Sequence, residues 1–90
     1  MMIEIYARKW FNMREGNTYH SCKVYVDGYL IGYRPFVYGY DRAYLQTAHS
    51  ILQEGGFYPE TNERINGMSK DFYQFLNDLK DNKHNFRIAF

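Results

Sequence analysis

His20 and Cys22 are the residues of this sequence whose side chains come nearest to a reactive pair. They stand two positions apart, so they would share one face of a β-strand. A zinc site needs three or four ligands, and the sequence has no second cluster of histidine or cysteine. One histidine and one cysteine on a strand are also a weak signal for a nucleophile. We therefore expect Cys22 to be a small buried thiol, and the chain to use no metal ion and no cofactor.

Catalysis through another pairing has equally little support. An enzyme that uses His20 with Asp27 or Glu54 stays open as an alternative, but no motif supports it. His49 and His84 have no neighbouring carboxylate at catalytic spacing, and His49 is expected on the solvent side of a helix. We expect that the protein is not an enzyme.

The other chemistry in the sequence is that of a binding surface. Aromatic residues make up 20% of the chain, with ten tyrosines, and tyrosine suits half-exposed faces because it joins an apolar ring to a polar tip. Flat rings stack on nucleic-acid bases, and basic groups neutralise phosphates. Trp, Tyr and Arg also dominate the energetic centres of protein interfaces. The residues that we expect to bind a partner are Tyr6, Arg8, Trp10, Asn17, Tyr19, Lys23, Tyr25 and Arg34.

A β-hairpin must position most of these side chains. Asp27-Gly28 stands between two alternating runs in Thr18–Phe36, and this dipeptide favours a type I′ turn because both central residues need positive φ. A two-residue loop predicts three pairs on the core face: Val26–Tyr29, Val24–Ile31 and Cys22–Tyr33. The opposite face would then carry Tyr19, Lys23, Tyr25 and Arg34. Pro35 predicts a kink or an edge near the end of the second strand.

The rest of the chain predicts one strand before the hairpin and two helices and a strand after it. The first strand is Met2 to Phe11. Asp41 is the expected N-cap of a helix ending near Glu54, and Ser69 that of a helix ending near Asp81. Positions 57–68 are expected to be a loop. A last strand is predicted from Phe86 to Phe90, with Phe86, Ile88 and Phe90 facing inward.

The predicted fold class is a two-layer α+β domain with the order β-β-β-α-α-β. Each helix has an apolar stripe at helical spacing: Tyr44, Leu45, Ala48, Ile51 and Leu52 in the first, and Phe72, Phe75, Leu76 and Leu79 in the second. The two helices must bury these stripes, and one face of the sheet is the available partner. Counting chain direction predicts a four-stranded antiparallel sheet in the order 4-1-2-3, with both helices on one face. The rings and basic groups on the other face would then be left uncovered.

Composition limits what such a domain can do. The chain has 90 residues and a net charge of +1, which predicts one domain over residues 1–90 and argues against a protein that coats DNA. With one cysteine, the chain has no internal disulfide, which fits a reducing cytoplasm. Its start has no secretory hydrophobic segment, and no apolar run reaches membrane-spanning length.

Three short segments resemble known sequences: KWFN at Lys9–Asn12, NTYHS at Asn17–Ser21 and YLQTA at Tyr44–Ala48. They resemble a group of small uncharacterised proteins encoded in bacteriophage genomes, and the resemblance covers most of the chain. It brings no activity and no functional residues. It implies a small protein that acts by binding, including as an inhibitor of a host or defence protein, in the cytoplasm of an infected bacterium.

Three functions for the uncovered face are left open by the sequence. The first is binding to a host or defence protein, which the residue types and the resemblance favour. The second is binding to single-stranded nucleic acid or a nucleotide, since four-stranded sheets backed by helices hold nucleic acid in this way. The third is pairing with a second copy as a homodimer.

Overall fold

The computed structural model describes residues 1–39 and 42–90, which form a four-stranded sheet, two α-helices and a short second hairpin. The large sheet has the order β3-β2-β1-β6, which confirms the predicted 4-1-2-3 arrangement. The N-cap expected at Asp41 lies outside the described residues. The strands are β1 (Ile3–Asn12), β2 (Asn17–Val26), β3 (Tyr29–Tyr38), β4 (Arg64–Ile65), β5 (Met68–Ser69) and β6 (Phe86–Ala89); the helices are α1 (Ala43–Glu54) and α2 (Lys70–Asp81).

The hairpin of β2 and β3 turns at Asp27-Gly28 as the sequence predicts. Asp27 has a φ of 50° and Gly28 a φ of 85°, which is the conformation of a type I′ turn. The Asp27 carboxylate also accepts a hydrogen bond of 2.8 Å from the backbone N–H of Met2. This bond ties the turn to the start of the first strand.

The register of this hairpin differs from the predicted one beyond its first pair. Val26 lies opposite Tyr29 as expected, but Val24 lies opposite Gly32 and Cys22 opposite Arg34. The pairing shifts between Val24 and Tyr25, and again between His20 and Cys22. Each shift is a β-bulge, in which an extra residue on one strand moves the residues after it by one position. The second bulge coincides with Pro35, which has no backbone N–H to give to the ladder.

The sheet is mixed, so the prediction of a wholly antiparallel sheet is wrong. β6 runs parallel to β1, with Ile3 opposite Phe86 and Tyr6 opposite Ala89. An antiparallel last strand would require each helix to run along the strands, so that every element reverses the direction of the chain. In the structure α1 lies across them, because Tyr44 in its first turn contacts Phe90 after β6, and Glu54 in its last turn contacts Arg34 in β3.

Both helices pack on the face of the sheet that carries Ile3, Ile5, Cys22, Val24 and Val26. All five residues of the α1 stripe are buried, and Phe75 of α2 is fully buried among them. Phe90, which was expected inside, is 70% exposed and touches the ring of Tyr44 by its edge. Among the described residues, neither helix is long and apolar enough to span a membrane.

The second helix begins where the sequence predicts. The Ser69 hydroxyl accepts a hydrogen bond of 3.3 Å from the backbone N–H of Phe72, which is an N-cap. The segment before it was expected to be a loop, but it contains the hairpin of β4 and β5. Its turn is Asn66-Gly67, with φ values of 52° and 80°. This dipeptide is the same kind of signal as Asp27-Gly28, but its flanking strands have only two residues each, too few to show an alternating pattern.

Candidate binding face of the sheet

Within residues 1–39 and 42–90, one face of the large sheet has no helix on it, and we call it the open face. It carries the residues of β1 and β2 that alternate with the buried ones. Every residue predicted to bind lies there except Arg34: Tyr6, Arg8, Trp10, Asn17, Tyr19, Lys23 and Tyr25. The structure therefore brings together most of the predicted set.

Arg34 is the exception, and its predicted position is wrong. The bulge before it places Arg34 opposite Cys22, on the face that the helices cover. Its guanidinium forms an ion pair with the Glu54 carboxylate at the end of α1. Tyr33 takes the place on the open face that Arg34 was expected to hold, and it lies opposite Lys23.

Four rings meet at the end of the open face next to the β1–β2 turn, and we call them the aromatic cluster: Trp10, Tyr19, Phe36 and Tyr38. The Tyr19 ring stacks on Phe36 with centroids 4.4 Å apart, and Trp10 lies 6.4 Å from Tyr19 and 5.9 Å from Phe36. Tyr38 meets Tyr19 edge-on at 5.9 Å. Tyr19 is buried in the middle, while Trp10, Phe36 and Tyr38 are 38%, 63% and 61% exposed. The cluster is a preformed apolar surface around a buried centre.

Polar groups of the β1–β2 turn hold the central ring in place. The Tyr19 hydroxyl donates a hydrogen bond to the Glu15 carboxylate. The Asn17 amide lies 3.5 Å from the Tyr19 oxygen and donates to it. The bond to Glu15 raises the pKa of Tyr19, because the carboxylate stabilises the protonated phenol. Asn17 therefore supports the cluster from beside it.

A groove of about 710 Å³ runs along the open face beside the cluster. Trp10 and Tyr33 supply rings to its wall, and Arg8 and Lys23 supply positive charge. The Lys23 ammonium lies 5.2 Å from the centre of the Tyr33 ring, which is a cation–π distance. The groove thus combines aromatic walls with the exposed basic groups of Arg8 and Lys23.

The far end of the open face has a different character. The rings of Tyr6 and Tyr25 meet edge-on at 5.6 Å. The Tyr6 hydroxyl donates to the Glu4 carboxylate, which raises the pKa of Tyr6. Arg87 of β6 stands opposite Glu4 and adds a third exposed cation to this face.

His20 and Cys22 share a buried face, as the alternation predicts, but they form no reactive pair. His20 Nε2 lies 2.7 Å from the Thr47 hydroxyl, and Cys22 Sγ donates to the Tyr44 carbonyl. Burial raises the pKa of Cys22 to about 11, so its thiolate is scarce at neutral pH. Asp27 lies at the far end of β2, and Glu54 is paired with Arg34. Within the described part of the chain, no three His, Cys, Asp or Glu residues are grouped to hold a metal ion.

His49 is buried, so its predicted position on the solvent side of α1 is wrong. It is 4% exposed because α2 covers that side of α1. Its ring stacks on Phe75 with centroids 5.1 Å apart and contacts Tyr58 and Phe72. Burial lowers the pKa of His49, although the nearby Asp71 carboxylate acts in the opposite direction.

Tyr33, Phe36 and Tyr38 supply much of the exposed aromatic surface, but they are not among the residues predicted to bind. Simple alternation from the Asp27-Gly28 turn places Tyr33 on the covered face, and the bulge between Leu30 and Gly32 moves it to the open face. The second bulge restores the alternation, so Tyr38 lies on the open face, opposite Tyr19. Gly32 beside the first bulge and Pro35 at the second were the signs in the sequence that alternation would fail in this strand.

Comparisons with protein-family models, with curated proteins and with solved structures find no match for this chain.

Proposed function

We propose that this protein binds another protein through the aromatic cluster at the end of its open face. The observation that carries the proposal is the cluster itself, in which three exposed rings surround a buried Tyr19. Binding centres of this kind are enriched in Trp and Tyr and contain a few residues that supply most of the affinity. The rings already contact one another in the free chain, so little side-chain entropy is lost on binding.

The charges beside the cluster indicate what kind of partner surface fits it. Arg8 and Lys23 border the cluster along the groove, while the Glu15 carboxylate is engaged by Tyr19. The proposed partner therefore presents an apolar centre bordered on one side by carboxylates. The resemblance to phage-encoded proteins adds the class of partner: a host or defence protein of an infected bacterium, met in its cytoplasm.

A capture experiment followed by measurement with the purified partner tests this proposal. The tagged chain is used to capture proteins from bacterial lysate, and the identified partner is then titrated against variants by calorimetry. Trp10→Ala and Phe36→Ala should each weaken binding by about thirtyfold, the effect of removing a hot-spot ring. Tyr29→Ala, which removes an exposed ring beside the Asp27-Gly28 turn, should leave the affinity unchanged.

The corrected position of Arg34 gives a second control. Because Arg34 lies on the covered face and pairs with Glu54, Arg34→Ala should not weaken binding. If Arg34→Ala abolishes binding while Trp10→Ala does not, the partner uses another surface and the proposal is wrong.

The groove gives a specific reason to keep single-stranded nucleic acid as a second candidate. Trp10 and Tyr33 could stack on bases while Arg8 and Lys23 contact phosphates. With Arg87 as a third cation, the logarithm of the binding constant should fall with the logarithm of salt concentration with a slope of about −2. A labelled oligothymidine titrated at several salt concentrations decides this. A flat response or no binding removes this candidate.

A further inference from the structure

The two outer strands of the large sheet, β3 and β6, present unequal edges to a further strand. β3 is interrupted by two bulges and by Pro35, and such features protect an edge against pairing with another chain. β6 pairs with β1 in uninterrupted register from Phe86 to Ala89. No other strand of the described chain pairs with its outer edge.

A groove of about 540 Å³ with a mostly apolar lining lies where Ile88 of β6 meets α2 and the start of α1. We call it the α2–β6 groove. Ile88 enters it from the strand, and Tyr73, Leu76 and Leu79 enter it from the helix. Ile88 is 39% exposed and Tyr73 is 50% exposed. An added strand would place every second side chain on the helix side of the sheet, where this groove can receive it.

The charges around the edge select the composition of such a strand. Arg87 projects from the middle of β6 on the opposite side, toward the open face. Arg42 and Lys80 border the groove. None of these three side chains forms an ion pair within residues 1–39 and 42–90. A strand that alternates apolar and acidic residues would match the groove on one side and Arg87 on the other.

We propose that the edge of β6 and the α2–β6 groove bind an extended segment of another protein, in which apolar residues alternate with acidic ones, as a fifth strand of the sheet. Backbone hydrogen bonds to β6 supply affinity, and the groove and Arg87 supply selectivity. Since β6 has four residues, we expect dissociation constants of about 10⁻⁵ to 10⁻⁴ M. This surface is separate from the aromatic cluster, so the proposal does not depend on the proposed function.

The test uses the full chain, labelled with ¹⁵N, and a six-residue capped peptide of alternating glutamate and leucine. The control peptide has three glutamates followed by three leucines, so composition and charge are matched. Saturable binding of the alternating peptide, with slower amide exchange in Phe86–Ala89 and much weaker binding of the control, supports the proposal. No saturable binding at about 1 mM peptide, or equal binding of both peptides, overturns it.

Variants separate the edge from other surfaces. Arg87→Glu and Ile88→Ser should each lower the affinity for the alternating peptide by about fivefold. Arg87→Gln repeats the test without introducing a negative charge. Arg14→Glu, at an exposed position in the β1–β2 turn, should change the affinity little. Unchanged affinity in both Arg87 variants overturns the proposal. A dimer in light scattering that Ile88→Ser dissociates also overturns it, because the edge would then belong to a second copy.

Discussion

Gly32 of β3 lies directly beneath Ile51 of α1, so close that a Cβ atom added to Gly32 would overlap Cγ2 of Ile51. The bulge in β3 is what places Gly32 there, opposite Val24 and under the helix. The helix can therefore approach β3 more closely than any side chain at this position would allow.

This approach predicts that Gly32→Ala destabilises the fold by about 1–3 kcal/mol, the usual cost of overpacking. Ile51→Ala alone should cost about 2–5 kcal/mol because it leaves a cavity. In the double variant the added methyl enters space that Ile51 vacated, so the combined loss should be smaller than the sum by at least about 1 kcal/mol. Urea unfolding of the four proteins measures this coupling. If the two single losses in the free energy of unfolding simply add in the double variant, Ile51 and Gly32 are not in contact.

Burial of His49 predicts a loss of stability in mild acid. Its pKa in the folded state lies below the ordinary value of 6.5, so the unfolded chain takes up a proton at a pH where the folded chain does not. The contribution of the neutral His49 ring to the free energy of unfolding is therefore complete above pH 6.5 and is lost as the pH falls through the lowered pKa. His49→Phe should make the stability less dependent on pH in this range, because the titrating ring is removed. The phenyl ring still packs between Phe75 and Tyr58, so the fold is kept.

Thermal unfolding between pH 7.5 and 5 checks this prediction, and His84→Gln, a change at an exposed position, is the control. Asp71, which faces His49 from α2, affects stability in a lower pH range. Its pKa is lowered mainly by the Thr61 backbone N–H, so its contribution is lost below about pH 3.8. An unchanged slope in His49→Phe between pH 6.5 and 5 would contradict the assignment.

The Asp71 carboxylate of α2 binds the segment that connects α1 to α2. It accepts hydrogen bonds of 2.7 Å from the Thr61 backbone N–H and 2.8 Å from the Thr61 hydroxyl. Asp71→Asn should destabilise the protein by about 1–3 kcal/mol, because a buried charged acceptor is lost. Thr61→Val removes the hydroxyl bond alone and should cost about half as much. Hydrogen exchange should quicken first at Thr61, and faster exchange confined to the hairpin of β4 and β5 would contradict this account.

Burial of Cys22 predicts that its thiol reacts only when the protein unfolds. The side chain is fully buried and its pKa is raised to about 11, so at pH 8 both access and thiolate are restricted. The rate of labelling by a disulfide reagent should follow the population of unfolded protein as urea is added. Labelling of the native protein at the rate of the urea-unfolded chain would show that the α1–β2 contact opens without global unfolding.

Much of the fold follows from local sequence, because its signals are local. The Asp27-Gly28 turn, the Ser69 cap and the helical spacing of Phe72, Phe75, Leu76 and Leu79 act within a few residues, and each is found where it was predicted. The predicted antiparallel direction of β6 is wrong, because the direction depends on how α1 crosses the sheet. That crossing is set by packing between residues far apart in the chain.

The candidate site was predictable only up to the first bulge. β1 and β2 keep strict alternation, so Tyr6, Trp10 and Lys23 lie on the expected face. In β3 the bulge between Leu30 and Gly32 reverses the assignment of Tyr33 and Arg34. The bulge inserts one unpaired residue, and the sequence marks it only by Gly32 beside it.

The parallel pairing of β6 with β1 decides when the sheet can be completed during folding. Ile3 and Phe86 are neighbours in the sheet but lie almost a full chain length apart, so the loop between them closes at a high entropic cost. The β1–β2–β3 meander can assemble from short-range contacts, whereas the fourth strand must wait for both helices. Until then the outer edge of β1 is unpaired, and a second nascent chain can occupy it. The rate at which β6 docks, rather than the stability of the finished fold, should therefore set how much of the protein aggregates during synthesis.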